Sequence, residues 1–256
     1  MVQKILEKFR KRLVRKSLFK KDHWLSAALN KNVFKLTNFS DVNEKSLLKS
    51  FNDIGKDYLN DDLFIFVKVR TNLVSQINNI ENLGFRLIDT NILFAGSSEL
   101  RHKEDRKDNI YIKFSENYHK SFVGDIAYNN FVFSRFHLDP NIKKSQADSL
   151  KKSWVENFFS GKRGDYMIIA LFNDKPVGFL QLIEQGNMLI IDLIAVKLGY
   201  RGKNIGSSMI NFAYKNIQFE KIIVGTQISN IPSIRLYQNL GFIPISSDYV
   251  FHFHNN

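Results

Sequence analysis

Residues 188–210, MLIIDLIAVKLGYRGKNIGSSMI, decide the fold. Positions 188–196 form an apolar run broken only by Asp192, which predicts a buried strand. Apolar residues then return at Ile205, Met209 and Phe212, spaced as on one face of a helix. A short polar stretch with glycines and cations separates the two patterns. The segment therefore predicts a strand, a tight loop and a helix in immediate succession.

The loop YRGKNIGS (200–207) has the properties of an anion site. Glycine lets the backbone approach a ligand closely, and the free N–H groups at a helix start attract negative charge. Arg201 and Lys203 add positive charge. The spacing matches neither the phosphate loop of nucleoside triphosphatases nor the G-x-G-x-x-G of dinucleotide-binding folds. From these residues alone, a glycine-containing turn with two surface cations is an equal alternative.

Strand and helix patterns continue on both sides of this segment. The predicted strands cover 61–70, 85–95, 109–114, 166–172, 177–185, 188–196 and 221–227, with two more near the C-terminus. The predicted helices cover 74–85, 117–131, 146–159, 204–217 and 231–240. The segment 134–142 is predicted to be a loop, and the polar stretch 96–109 is typical of a linker. We therefore expect a basic extension (1–21), an N-terminal domain (22–108) and a C-terminal domain (109–256).

One short motif occurs twice. Asn82-Leu83-Gly84-Phe85 recurs as Asn239-Leu240-Gly241-Phe242, and each copy closes a predicted helix and opens a predicted strand. Glycine is the usual residue just after a helix end. Four residues can match by chance, but the shared setting favours an old duplication of one domain.

Two motifs together resemble the GCN5-related N-acetyltransferases. The strand, the loop with Arg201 and Gly206 and the helix after it are similar to the pyrophosphate loop of that superfamily. Its second signature is similar to Asn230, Ser233, Leu236-Tyr237 and Leu240-Gly241-Phe242, about thirty residues later. Asn204 stands where glycine is common, but asparagine tolerates left-handed dihedrals. The resemblance covers about residues 110–256.

Scattered positions resemble one branch of that superfamily, the dTDP-fucosamine acetyltransferases. They are His23-Trp24, Phe133-Ser134-Arg135-Phe136, Asp139-Pro140 and Trp154-Val155-Glu156-Asn157. The resemblance implies an α/β fold with a mixed, mostly antiparallel sheet flanked by helices. It also implies a smaller, truncated acetyltransferase-like domain in front, in agreement with the repeated motif. Acetyl-CoA would be the donor, and a nucleotide-linked amino sugar would be the acceptor.

The resemblance also assigns roles in the site. Tyr237 stands at the position of the general acid, although a half-buried aromatic on a helix is the plain alternative. An N–H near Ile194 or Ala195 would hold the developing oxyanion. Glu184 is favoured as general base, with Asp192 second, and a water-mediated route needs neither. The residues expected to bind the cofactor are Leu193, Ile194, Ala195, Val196, Arg201, Gly202, Lys203, Asn204, Ile205, Gly206, Ser207 and Asn230.

Two further pairs of polar residues could bind a ligand. Arg135 and His137 lie in the loop expected to form the acceptor wall, where arginine suits a diphosphate, although a surface arginine is an equal reading. His252 and His254 would share one face of a strand. A metal site there lacks an obvious third ligand, so we expect no metal.

The net charge of +12 is concentrated at the N-terminus. Residues 1–21 hold nine Lys or Arg and one Glu, and their apolar residues predict an amphipathic helix. Three interpretations of such a helix stay open. It binds an anionic membrane surface or an acidic partner, it packs on its own domain, or it is a mitochondrial presequence. Because the rest of the chain is nearly balanced, we expect no specific nucleic-acid binding.

Composition limits the cellular setting and the chemistry. The chain has no cysteine, which excludes disulfides and a cysteine nucleophile and favours direct transfer in a cytoplasmic, reducing compartment. The protein would lie free there or at the inner face of the membrane, and a homodimer stays open. Two other functions remain: an acetyltransferase for another amine, such as a protein N-terminus, and a non-catalytic module that works through the extension.

Overall fold

The structure is a computed structural model that describes residues 18–39, 42–98 and 109–255. The chain divides into two compact units. The first unit ends at Thr90 and takes in the C-terminal residues from Asp248, whereas the second unit is Asn91–Ser247. None of the helices in these described stretches is long and apolar enough to cross a membrane.

This division differs from the expected boundary at residues 108 and 109. Residues Asn91–Ser97, the second part of a strand that begins before Thr90, pair with a strand of the second unit, from Asn91 opposite Gln227 to Ser97 opposite Lys221. The last strand of the chain pairs with the first unit through Asp248–His254. Both pairings join residues far apart in the sequence, and composition alone does not reveal them. The expected linker begins later than predicted, and residues 99–108 lie outside the described chain.

Within its described residues, the first unit has four strands in the order β1-β2-β3-β10, of which β2 and β3 are parallel. Its elements are β1 (Phe19–Lys21), α1 (His23–Leu29), β2 (Asn32–Leu36), α2 (Glu44–Asp57), β3 (Leu63–Arg70) and α3 (Val74–Asn82), with parts of β4 (Arg86–Ser97) and β10 (Ile243–His254). The elements α1, β2 and α2 were not foreseen in the sequence.

The last residues of the basic extension form a strand, whereas the sequence predicted a helix there. Phe19–Lys21 form strand β1, which pairs with β2, and Leu18 and Phe19 are buried in the core of the first unit. These residues therefore belong to the first unit, and the expected division after residue 21 is not seen. The rest of the predicted amphipathic helix, residues 1–17, lies outside the described chain.

In the part of the second unit that the structure describes, six strands lie in the order β4-β9-β8-β7-β6-β5, all antiparallel neighbours except β8 and β9. Its further elements are β5 (Ile110–Phe114), α4 (Lys120–Asn130), α5 (Arg135–Leu138), α6 (Lys144–Phe159), β6 (Tyr166–Phe172), β7 (Lys175–Gln185), β8 (Met188–Val196), α7 (Ile205–Asn216), β9 (Lys221–Gln227) and α8 (Ile231–Asn239). The predicted mixed, mostly antiparallel sheet is confirmed. The predicted loop 134–142 instead contains the single turn α5.

Apolar side chains cover both faces of this sheet. One core joins the strands to α7 and α8 and includes Met209, Ile210 and Tyr237. The other joins them to α4 and α6 and includes Val123 and Val155. The alternation of buried residues along β8 serves both cores, which is why its sequence is almost wholly apolar.

The repeated Asn-Leu-Gly-Phe motif has the same local geometry in each unit. Gly84 and Gly241 have positive φ angles of 83° and 79°. In each copy the glycine N–H bonds to the carbonyl three residues earlier, and the phenylalanine N–H bonds to the carbonyl five residues earlier. This is the Schellman ending of a helix, which requires a left-handed residue and favours glycine. The duplication itself stays a prediction.

Candidate active site

The site forms where β8 and β9 separate. Their parallel pairing runs from Met188 opposite Lys221 to Ile191 opposite Val224. Beyond that point both strands line one cavity of about 640 Å³ within the second unit. Segments 130–134 and 191–196, the loop after β8 and residues of α8 complete its wall.

A β-bulge marks the same point on the other edge of β8. Gln181 pairs with Leu193 and Leu182 with Ile191, so Asp192 is the extra residue. A bulge bends its strand and changes the direction of side chains. The bend and the end of pairing with β9 together leave the edge of residues 192–196 facing the cavity, with main-chain groups available to an extended ligand.

The loop after β8 presents main-chain amides to the cavity. Gly202 has a φ of 74° and Asn204 a φ of 57° with ψ of 13°, so asparagine does adopt the expected left-handed conformation. Asn204 is the N-cap of α7, and the first intrahelical bond runs from the Ser208 N–H to its carbonyl. The N–H groups of the residues in between therefore have no intrahelical acceptor. Together with the helix dipole they form an anion-binding surface.

The two cations of the loop, Arg201 and Lys203, make contacts within the protein that the sequence did not predict. The guanidinium of Arg201 donates to the carbonyl oxygens of Val196, at 3.1 Å, and Asn130, at 2.9 Å. It therefore fixes the loop to the ends of β8 and α4. The ammonium of Lys203 lies 5.2 Å from the centre of the Tyr200 ring, and Lys203 does not line the cavity.

Tyr237 and Asn230 both line the cavity. Tyr237 is 2% exposed and packs against Phe94 and Phe242. Burial raises the pKa of this phenol well above its ordinary value of 10. The phenol therefore keeps its proton at every physiological pH. The Asn230 side chain caps α8 by accepting from the Ser233 N–H and donates to the Thr226 hydroxyl, each at 3.3 Å. One amide N–H and one lone pair of Asn230 remain for a ligand.

The structure does not support either carboxylate proposed as a general base. Glu184 is exposed, pairs opposite Leu189 at the far end of β8, and accepts a bond from the Tyr166 hydroxyl. It lies outside the cavity because the cavity begins only where β8 and β9 separate.

Asp192 does line the cavity, but four donors bind its carboxylate. Arg163 donates two bonds of 2.7 Å, one to each oxygen. The Trp154 indole and the Gln181 amide both donate to Oδ2, at 3.1 and 3.2 Å. Since a carboxylate offers about four lone-pair sites, little capacity is left on Asp192 to accept a proton from a substrate.

Lys151 is a cavity residue that the sequence did not indicate. It lies on α6, lines the cavity and is 7% exposed. Burial above all, with smaller effects of Arg135 and Arg163, lowers its pKa to about 8, and Asp192 opposes them. In the sequence, a lysine on a helix looks the same whether its side chain is buried or solvated. Only the packing of Phe131 and Trp154 around it reveals its burial.

The two residues expected to bind the acceptor do not line the cavity. The Arg135 guanidinium lies 4.3 Å from the centre of the Phe136 ring. His137 is buried between Ser134 and Asp148: its Nδ1 is 2.6 Å from the Ser134 Oγ, and its Nε2 is 3.0 Å from the Asp148 Oδ1.

This arrangement connects the cavity to a buried histidine. Ser134 lines the cavity. Burial lowers the pKa of His137, whereas Asp148 opposes the effect, so the imidazole is neutral at pH 7. A neutral ring that donates from Nε2 to Asp148 accepts at Nδ1 from the Ser134 hydroxyl. The three side chains can therefore move a proton from the cavity wall into the interior.

Part of the second unit is similar to one protein family. Residues 132–242 match the model of the acetyltransferase (GNAT) family. A GCN5-related N-acetyltransferase from Sphaerobacter thermophilus has a similar fold, with a TM-score of 0.62 and 12% identity over 88% of this chain and 73% of that one.

Two curated relatives align with part of the chain. The spore coat polysaccharide biosynthesis protein SpsD of Bacillus subtilis (strain 168) is 31% identical over 133 residues, which are 51% of this chain and 46% of SpsD. The N-acetylaspartate synthetase of Xenopus tropicalis is 27% identical over 112 residues, which are 41% of this chain and 39% of that protein. The chain thus spans less than half the length of either relative.

Proposed function

We propose that this chain, whose second unit has the GNAT acetyltransferase fold, is an acetyl-CoA-dependent N-acetyltransferase. One observation supports this above all. A single cavity brings together the separated edge of β8, the amides at the start of α7 and the phenol of Tyr237. These are a backbone edge for an extended chain, an anion site for a diphosphate and an acid for a leaving group.

The residues present fit acetyl-CoA, which supplies an acetyl group on a thioester. The amides between Arg201 and Ser207 would hold its diphosphate, because α7 directs its positive end there. The edge of Leu193–Val196 would pair with its amide-containing arm as an added strand. Asn230, with one free donor and one free lone pair, would bind the same arm.

The transfer needs no covalent enzyme intermediate, since the chain has no cysteine and the site holds an acid and a proton acceptor. The acceptor nitrogen forms a bond to the acetyl carbon as the carbon–sulfur bond breaks. Tyr237 gives its phenolic proton to the departing sulfur and regains one from solvent. An N–H of β8 near Ile194 or Ala195 would stabilise the carbonyl oxygen as charge develops on it.

The proton of the acceptor amine requires a base inside the cavity. Glu184 is outside it, and Asp192 is already bound by four donors. We therefore assign this step to Ser134, which accepts the amine proton while it passes its own to His137. Asp148 then stabilises the imidazolium.

The acceptor we propose is a nucleotide-linked amino sugar. The name of SpsD refers to polysaccharide biosynthesis, and its 31% identity over half of this chain supports a sugar. A second candidate is the amine of an amino acid, favoured by the likeness to N-acetylaspartate synthetase. We further propose a cytoplasmic location, with residues 1–17 available to an anionic membrane surface.

The test of the function combines binding with turnover. Isothermal titration of the purified chain with acetyl-CoA should show a single site. Release of the CoA thiol should then follow addition of dTDP-4-amino-4,6-dideoxygalactose, with L-aspartate as the competing acceptor. Tyr237→Phe should lower kcat by about 10² or more without changing acetyl-CoA affinity. A protein that does not bind acetyl-CoA would refute the function, whereas turnover of aspartate alone would select the second candidate.

The proton route has its own test in the pH profile. The acid limb of kcat/KM should lie below pH 6.5, the ordinary pKa of histidine, because burial lowers the pKa of His137. Asp148→Asn removes the charge that opposes this effect, so the limb should move to still lower pH while kcat falls. A limb that stays in place in Asp148→Asn would rule out His137 as the proton acceptor.

A further inference from the structure

Lys151 is a buried cation without a hydrogen-bond acceptor among the described residues. Its ammonium lies 5.0 Å from the centre of the Phe131 ring and 4.7 Å from that of Trp154. Cation–π contacts of this kind stabilise a cation only in part. The three N–H groups of the ammonium remain to be satisfied at a point where Lys151 lines the cavity.

Asp192 does not neutralise the charge of Lys151. The positive charges of Arg135 and Arg163 act on it together with the single negative charge of Asp192. Asp192 is not available as a full partner, because Arg163 binds both of its oxygens. Buried charges in proteins are as a rule paired. Because Lys151 lines the cavity, its unneutralised charge indicates a ligand that brings negative charge.

The position of Lys151 points to the acceptor rather than to the carrier of the acetyl group. Trp154, which contacts Lys151, donates to Asp192 at the bulge of β8. The loop that would hold the diphosphate is fixed to Val196, four residues and about 13 Å further along the strand. Lys151 also lies near enough to His137 for its charge to act on that ring.

We propose that the Lys151 ammonium binds an anionic oxygen group of the acceptor, a phosphate or a carboxylate, and so makes the enzyme selective for anionic amines. The proposal rests on the proposed function, since it defines the acceptor of the same site. Lys151 is in this role a specificity-determining residue that holds the acceptor, with its amine directed to Ser134.

Matched acceptors test the selectivity. The phosphate pair is dTDP-4-amino-4,6-dideoxygalactose and the free 4-amino-4,6-dideoxygalactose. The carboxylate pair is 2-amino-2-deoxygalacturonic acid and galactosamine. We expect kcat/KM to be at least about tenfold higher for the anionic member of one pair, since a hydrogen bond to a charged group contributes this much or more. The pair that responds identifies the source of the charge.

The variant Lys151→Met removes the charge and keeps a long apolar side chain. It should abolish the preference by raising KM for the anionic acceptor only. Lys152→Met is the matched control, because the Lys152 ammonium is partly exposed and binds Asp125. A wild-type enzyme indifferent to the anion, or a preference retained in Lys151→Met, would overturn the proposal. An equal loss of kcat with neutral and anionic acceptors would also overturn it, and would make Lys151 a base.

A binding assay without turnover separates this proposal from the function. The chain has two tryptophans, so Trp24→Phe leaves Trp154, which contacts Lys151, as the only reporter. Inorganic phosphate or acetate, each titrated with and without saturating CoA, should change the Trp154 emission, and Lys151→Met should abolish the change. No change in the parent variant would refute the anion site even if acetyl-CoA binds. A change without acetyl-CoA binding would keep the anion site and refute the acetyltransferase.

Discussion

Replacing Lys151 with methionine should stabilise the protein at neutral pH. Burial lowers the pKa of Lys151 to about 8 from its ordinary value of 10.5. The difference between these values, at about 1.4 kcal/mol for each pH unit, is a cost of about 3 kcal/mol for keeping the folded lysine charged. Methionine removes this cost but also the two cation–π contacts, which contribute about 0.5 to 2 kcal/mol. The net gain in the free energy of unfolding should be about 1 to 3 kcal/mol.

The gain depends on pH in a defined direction. Below pH 8 the folded and the unfolded chain both carry the proton, so the wild-type protein bears the full cost. As the pH rises from 8 to 10.5, the folded lysine loses its proton while the unfolded one keeps it, so the cost declines. The difference in stability between Lys151→Met and wild type should therefore be largest at pH 7 and should shrink towards pH 10.

Urea denaturation in the Trp24→Phe background measures this difference, because Trp154 reports on the second unit. The midpoint for Lys151→Met should exceed that of the parent variant at pH 7, and the two should converge at pH 10. Lys152→Met should match the parent at both values. A destabilised Lys151→Met, or a difference independent of pH, would show that the buried ammonium is satisfied in the free protein and would remove the physical basis for an anion site.

Three other substitutions test the site by separate routes. Asp192→Asn leaves Arg163 without its ion pair and should lower the free energy of unfolding by about 2 to 3 kcal/mol. This loss is smaller than for a fully buried pair because the Arg163 side chain is 37% exposed. Urea denaturation measures the loss, and an unchanged midpoint would contradict the ion-pair role. Asn204→Val forces a β-branched residue to a φ of 57° and should weaken acetyl-CoA binding in calorimetry and lower stability by about 1 to 3 kcal/mol, whereas Asn204→Gly should bind as wild type. Glu184→Gln should keep kcat within about twofold of wild type, as expected for an exposed group outside the cavity; a tenfold loss of kcat would restore Glu184 as a base.

The strand–loop–helix unit could be predicted because its information is local. The apolar run of β8, the two glycines of the loop and the helical spacing after Ile205 each act within a few residues of one another. The left-handed Asn204 follows from the same local chemistry. The division into units could not be predicted, since it depends on β10 pairing with β3 across most of the chain.

The polar residues of the site were harder to place for a related reason. Glu184 and Asp192 both interrupt apolar strands, and the sequence gives no measure of which end of β8 opens into a cavity. That depends on where pairing with β9 stops, after Ile191. Lys151 was missed because a lysine on a helix is usually solvated, and its burial results from Phe131 and Trp154, which the fold brings to it.

Two opposing pH requirements follow from the site and make a final prediction. The acceptor amine must be neutral to attack, which favours high pH, whereas Lys151 must be charged to bind an anion, which favours low pH. The charged and titratable groups near Lys151 are Arg135 and Arg163, which lower its pKa, Asp192, which raises it, and His137, on whose ring its charge acts. Together with burial they place the loss of the ammonium proton near pH 8.

Since kcat/KM reports the ionisation of the free enzyme, its profile for an anionic acceptor should fall above pH 8. The profile for the matched neutral acceptor should keep rising, and Lys151→Met should lack the falling limb with both. A falling limb that persists in Lys151→Met would belong to another group. In that case the lysine would not be the residue that makes the enzyme prefer an anionic acceptor.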